Sequence, residues 1–219
     1  MHRDISPGNI IIYKGRAKLS DLEFAKQYSF HQIVGSFFDF SAIQGTYDFM
    51  AVEVERGAYI YHGGLFFSHN PLHDLESLWW VGVWFLLCHY QPSKLRDIKV
   101  QQHIEVVKEY GETLFNNNDP LSRRNALTGP DIIANIESLS FPKAVQGLMV
   151  LLESFRDELV KYYETYKPMA SQDRSFFNPD LYRKFGDKFD NAMKKLGNDQ
   201  TGLWPLSHIE KRIKYLNAK

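Results

Sequence analysis

A carboxylate and a carboxamide stand five residues apart in the opening stretch Met1-His2-Arg3-Asp4-Ile5-Ser6-Pro7-Gly8-Asn9, with Arg3 immediately ahead of Asp4. A fixed Asp can accept the proton of an attacking hydroxyl, and an Asn at this spacing can help hold a phosphate-bound magnesium. The pattern suits phosphoryl transfer. Asp21 follows twelve residues after Asn9 and offers a second oxygen donor to a hard cation. Two further signals come next: Gly45-Thr46-Tyr47-Asp48-Phe49-Met50-Ala51-Val52-Glu53 and Asp74-Leu75-Glu76-Ser77-Leu78-Trp79. Each is a weak match alone, and their fixed order makes them a set.

The elements that must position these groups are legible in outline. Asn9-Ile10-Ile11-Ile12-Tyr13, the turn Lys14-Gly15-Arg16 and the return Ala17-Lys18-Leu19-Ser20 predict a short hairpin leading into Asp21. Residues 21 to about 70 follow neither the helix nor the strand template for long, which predicts a functional loop or marks elements that the pattern does not reveal. Asp74 to Tyr90 is apolar almost all round, as a helix enclosed by protein is, and Asn70-Pro71 predicts a turn before it. Ile98, Val100, Ile104 and Val107 give residues 97–110 a helical face, and residues 131–139 form a shorter candidate. Over residues 142–166, Ala144, Leu148, Leu151, Leu152, Phe155, Leu159 and Tyr162 mark another face. Asn178-Pro179 reads as a cap with a first-turn proline, before Leu181, Phe185, Phe189, Met193 and Leu196. Ser207-His208-Ile209-Glu210 has capping-box spacing and predicts a final short helix.

These motifs resemble the C-terminal lobe of eukaryotic protein kinases. Ile5-Ser6 in the first motif, and the Asp-Leu-Glu-Ser-Leu run after His73, resemble the fungal-type protein kinases more narrowly. The resemblance covers residues 2 to about 80. It implies a mainly α fold over residues 1–219, a kinase-like C-lobe with a short N-terminal β-hairpin and the N-lobe absent. The catalytic loop would lie at 2–9, the activation segment at 21–53 and the central buried helix at 74–90. It implies protein serine/threonine kinase activity, with ATP and Mg2+ as cofactors and a protein as substrate. By the same resemblance Asp4 is the catalytic base, Asn9 a catalytic and magnesium-binding residue, and Asp21 the second magnesium ligand. Arg3 pairs with an acidic or phosphorylated group of the activation segment, where Ser29, Ser36, Ser41, Thr46 and Tyr47 are available. Thr46 contacts Asp4, Gly45 to Glu53 forms the peptide-docking loop with Glu53 as its anchor, and Asp74 bonds the backbone around His2 and Arg3.

Some positions depart from the family. Glu23 stands where a glycine follows the magnesium aspartate, removing an easy hinge, while Leu22 keeps an apolar residue for packing. Ser6 replaces the lysine that helps place the transferred phosphate, and Val52 replaces the proline before the anchor. The sequence carries no Gly-rich phosphate loop and no strand lysine, so a truncated gene or a fragment of a longer kinase is expected. Two other readings stay open. One is a catalytically inactive kinase-like remnant or interaction module. The other is an aggregation-prone product with an apolar face exposed beside residues 1–20.

The bulk composition sets limits. The 219 residues are 44% hydrophobic with a formal net charge of zero, enough for a sizeable core and without pull toward nucleic acid or anionic membrane. A single cysteine, Cys88, excludes an internal disulfide and fits a reducing intracellular compartment, cytoplasm or nucleus. The 11 residues from Leu78 to Cys88 are the most apolar run, short of the ~20 that span a bilayer. His62, His69 and His73 could be imagined as a zinc site but lack an acidic or cysteine partner at ligand spacing. Cys88, Trp79, Trp80 and Trp84 read as core, and Lys194-Lys195 and Lys211-Arg212 as solvated faces.

Overall fold

The computed structural model describes residues 1–26, 45–65, 67–90, 98–115, 120–129, 143–165, 179–196, 204–205, 211 and 213–214. These residues are mainly helical, with a two-stranded antiparallel hairpin near the N-terminus. The chain divides into two compact units, one of residues 1–81 and 155–184 and the other of residues 82–154 and 185–219.

The first unit holds every motif singled out above. Its hairpin pairs β1 (Ile10–Tyr13) with β2 (Arg16–Leu19), in the register Ile10 to Leu19 and Tyr13 to Arg16. Lys14 (φ 50) and Gly15 (φ 71) both take positive φ, the two-residue turn whose twist matches the strands. One face carries Ile10, Ile12, Ala17 and Leu19. The other carries Ile11, Tyr13, Arg16 and Lys18, with the Lys14 and Lys18 ammonium groups over the Tyr13 ring at 5.3 and 5.1 Å. Ile11, Ile12, Tyr13 and Leu19 are all exposed. Leu22 is exposed too, at 63%, so it makes little of the packing expected of it.

Helix α1 (Val52–Arg56) is short, and α2 (Pro71–Cys88) is the long element behind the motifs. The sequence placed the start of α2 at Asp74. It begins three residues earlier because the Asn70 carboxamide oxygen accepts the Leu72 N–H at 2.9 Å and Pro71 sits in the first turn. Asp74 is therefore in the first turn and not the cap. Leu72, Leu75, Trp79 and Trp80 are buried along α2, with Met50, Ala51 and Val54 forming a cluster beside Phe67. Helix α5 (Lys143–Thr165) adds Phe155, Leu159 and Tyr163 to this unit's core. The buried residue near its end is Tyr163 and not Tyr162, since 152, 155, 159 and 163 keep the 3.6-residue phase.

In the second unit, α3 (Ile98–Phe115) buries Ile104, Val107, Leu114 and Phe115 but leaves Ile98 at 71% exposure, so the face starts later than its sequence suggested. Helix α4 (Pro120–Thr128), with Ala126 and Leu127 buried, had no counterpart in the sequence reading. Strand β3 (His89–Tyr90) ends the helical stretch at Cys88 and pairs with β4 (Trp204–Pro205). Helix α6 (Pro179–Leu196) starts at the first-turn proline that its cap predicted, in residues of the first unit, and enters the second from Phe185 on. The candidate helices at 131–139 and from Ser207 fall largely or wholly outside the described residues.

Candidate functional site

The opening stretch is fixed from below by Asp74. Its Oδ2 accepts the His2 N–H at 2.6 Å and its Oδ1 the Arg3 N–H at 2.9 Å. Charge-assisted bonds of this kind are roughly twice as strong as neutral ones. They hold Arg3 at φ 72, a left-handed conformation costly for a residue with a long side chain. His2 is buried, and its Nε2 lies 2.9 Å from the Ser20 carbonyl. One carboxylate and one imidazole thus set the path of the chain into Asp4.

Asp4 is gripped on both oxygens. Asn9 Nδ2 donates to its Oδ2 and to its backbone carbonyl, each at 2.9 Å. Thr46 donates to Oδ1 twice, from its backbone N–H at 2.7 Å and from its hydroxyl at 2.9 Å. Gly45 makes this approach possible. Its φ is 125, and a Cβ there would lie 3.0 Å from the Arg3 carbonyl oxygen. Asn9, five residues on, and Thr46, 42 residues on, therefore converge on the Asp4 carboxylate.

The hairpin carries Asp21 back to Asn9. The Ser20 N–H donates to the Asn9 carbonyl at 2.9 Å, and its hydroxyl donates to the same oxygen at 3.2 Å. Asp21 follows at once, exposed and at φ 58, which an Asp tolerates better than most residues. Because Asn9 spends its Nδ2 on Asp4, its Oδ1 is the atom left to face a cation. Asn9 Oδ1 and the Asp21 carboxylate are hard oxygen donors of the kind magnesium takes when water and phosphate oxygens complete the shell. No group of three or more His, Cys, Asp or Glu side chains among the described residues could hold a metal ion. His62, His69 and His73 are not such a group.

His73 is committed elsewhere. Its Nδ1 accepts the Asn70 N–H at 3.1 Å, which puts the proton of the neutral ring on Nε2, and Nε2 lies 3.1 Å from Glu53 Oε2. The other Glu53 oxygen accepts the Ile60 N–H at 2.9 Å. Burial pushes the Glu53 carboxyl up to about 7 against the opposing Ile60 N–H and His62 charge, and it pushes His73 down to about 3. Glu53 anchors α1 and the turn after it to the first turn of α2.

A second buried carboxylate holds the same segment. Glu76 is fully buried, and its Oε1 accepts the Val52 N–H at 2.8 Å and the Trp80 indole N–H at 2.9 Å. Tyr163 donates to Oε2 at 2.5 Å. Val52 thus has a consequence hidden in the sequence: a proline at 52 would offer no N–H, and Glu76 accepts the one valine brings. Sequence reasoning missed Glu76 and Tyr163 as site residues. An acidic residue inside a helix apolar all round was the available signal for Glu76, since such a group is buried only with partners. Nothing local marks Tyr163, 87 residues away.

Tyr47, beside Thr46, donates from its hydroxyl to Glu55 Oε1 and ties the two ends of this segment together. Arg3 Nε is buried without a hydrogen-bond partner among the described residues. Ser29, Ser36 and Ser41, named as its possible phosphorylated partners, lie outside those residues. No helix among the described residues is long and apolar enough to cross a membrane.

Residues 1–86 match the family model described as fungal protein kinase. The match spans every residue gathered at this site except Tyr163. No curated protein and no solved structure matches the chain.

Proposed function

From the closeness of residues 1–86 to the fungal protein kinases, we propose that the protein transfers the γ-phosphate of ATP to serine or threonine hydroxyls of other proteins. Asp4 is the group that accepts the hydroxyl proton, and Asn9 Oδ1 and Asp21 are the residues that would hold Mg2+. The ion, when bound, neutralises phosphate charge. Everything else is positioning by this chain. Asn9 and Thr46 orient the Asp4 carboxylate, Asp74 fixes the backbone that carries it, and Glu53 and Glu76 hold the segment on which a substrate peptide docks.

The observation that carries this reading is the convergence on Asp4 of Asn9 Nδ2, the Thr46 N–H and the Thr46 hydroxyl. A carboxylate that merely capped a local turn would need Asn9 alone, five residues on, and not a second pair of donors from Thr46, 42 residues away. The test is transfer of labelled phosphate from Mg–ATP to a basic protein, with Asp4→Asn as the matched control. Loss of transfer in the variant supports the reading, and equal transfer removes Asp4 from its role.

A second reading is a kinase-like module that binds partners without catalysis. Ser6 favours it, being short and buried at 4% exposure where the wider resemblance to eukaryotic protein kinases implies a lysine. Micromolar binding of Mg–ATP, lost in Asp21→Asn, counts against this reading.

A further inference from the structure

Between the Thr46 hydroxyl and α2, the docking segment hangs on two buried carboxylates, and a residue outside the family match touches the environment of both. Tyr163 lies on α5, is 1% exposed, and donates to Glu76 Oε2 at 2.5 Å. Its ring also stacks on His73, with centroids 6.3 Å apart and planes at 26°. His73 in turn faces Glu53. We propose that Glu76 and Tyr163 are positioning residues for protein-substrate docking, the Tyr163 hydroxyl holding the Glu76 carboxylate so that it grips the Val52 N–H at the head of α1. This rests on the reading of residues 45–53 as the docking segment.

The physical case is one of accounting for buried polar groups. Glu76 and Val52 are both 0% exposed, so among the groups described here the carboxylate is held by protein donors and not by bulk water. Its Oε1 is shared between Val52, on the docking segment, and Trp80, one turn along its own helix. A donor on Oε2 from another element helps fix the rotation of the carboxylate that directs Oε1 at Val52, and Tyr163 supplies one. Burial first, and then the Glu76 charge, raise the Tyr163 hydroxyl well above its ordinary range, so it remains a donor at any working pH.

The test uses Tyr163→Phe, which keeps the ring and its stack on His73 and deletes only the hydroxyl. Hydrogen exchange of the Val52 amide in the 219-residue chain is predicted to speed up about tenfold, with the amides of α2 unchanged. Glu76→Gln keeps the shape of that side chain and is predicted to move the same amide in the same direction, which preserves the test if the first variant fails to fold. In phosphate transfer by the protein, Tyr163→Phe should raise KM for the protein substrate and leave KM for ATP and kcat near wild type. Unchanged Val52 exchange, or an increase shared by every amide of α2, overturns the proposal. So does a fall in kcat with no change in protein-substrate KM. If the wild type transfers no phosphate, the kinase reading falls by itself, and the exchange measurement still decides whether Tyr163 positions Val52.

Discussion

Replacing Glu53 with glutamine separates two opposing pH dependences that the wild-type protein superimposes. Burial holds Glu53 near 7, against an ordinary 4.5, and His73 near 3, against an ordinary 6.5. The groups around the pair are Tyr163, which stacks on His73, Arg3 and Asp74, whose charges act on His73, and His62, which acts on Glu53. For Glu53 the folded value is raised, so its contribution is fully present below 4.5 and is lost as pH rises through about 7. For His73 the folded value is depressed. Its contribution is present above 6.5 and is lost as pH falls toward about 3. At about 1.4 kcal/mol per pH unit, each effect amounts to about 3 kcal/mol over the shared window. They run in opposite directions there. The pair leaves wild-type stability nearly flat between pH 7 and 4.5, and only below 4.5 does the His73 loss stand alone. Glu53→Gln removes one side of the balance. Urea unfolding followed by tryptophan fluorescence at several pH values should show the difference between wild type and variant growing in favour of the wild type by about 3 kcal/mol from pH 7 to 4.5. Taking the difference cancels the carboxylates common to both proteins. Parallel stability curves across that window refute the reasoning.

Other changes have equally definite consequences. Gly45→Ala places a Cβ 3.0 Å from the Arg3 carbonyl at φ 125 and should cost about 1–2 kcal/mol in chemical denaturation, with a matching loss of activity. Asp74→Ala removes the acceptor of the His2 and Arg3 N–H groups and should destabilise by about 3 kcal/mol, read by the same urea titration. Val52→Pro suits the backbone, since Ala51 before it is extended at φ −63 and ψ 144, but deletes the N–H that Glu76 accepts. It should cost about 1–3 kcal/mol, and a stabilised variant would show that the Val52 contact contributes nothing. Ile12→Thr, on the exposed hairpin face, should change stability by less than about 0.5 kcal/mol in the 219-residue chain.

The sequence made the site's skeleton legible where spacing alone dictates geometry. The Lys14-Gly15 turn fixes the hairpin register, and the register brings Ser20 and Asp21 beside Asn9. Asp74 could be assigned to the backbone of His2 and Arg3 only through the resemblance, because a contact 72 residues apart leaves no local trace. Helix ends were read less well. The Asn-Pro pair at 178–179 reads as a cap and the same pair at 70–71 as a turn, although Asn70 caps α2 by bonding Leu72. The sequence pattern puts Tyr162 on the α5 face, while the residue buried there is its neighbour Tyr163, since helical spacing leaves two adjacent tyrosines near one phase. Glu76 and Tyr163 became visible only with tertiary structure, since a buried carboxylate is defined by donors that arrive from other elements.

The central claim is that Asp4 serves phosphoryl transfer. Its most direct test is the rate of labelled phosphate transfer from Mg–ATP to a basic protein, by the protein and by its Asp4→Asn variant. The account predicts transfer by the wild type and a loss of at least about a hundredfold in the variant. No transfer by the wild type, or equal transfer by the two, would contradict it.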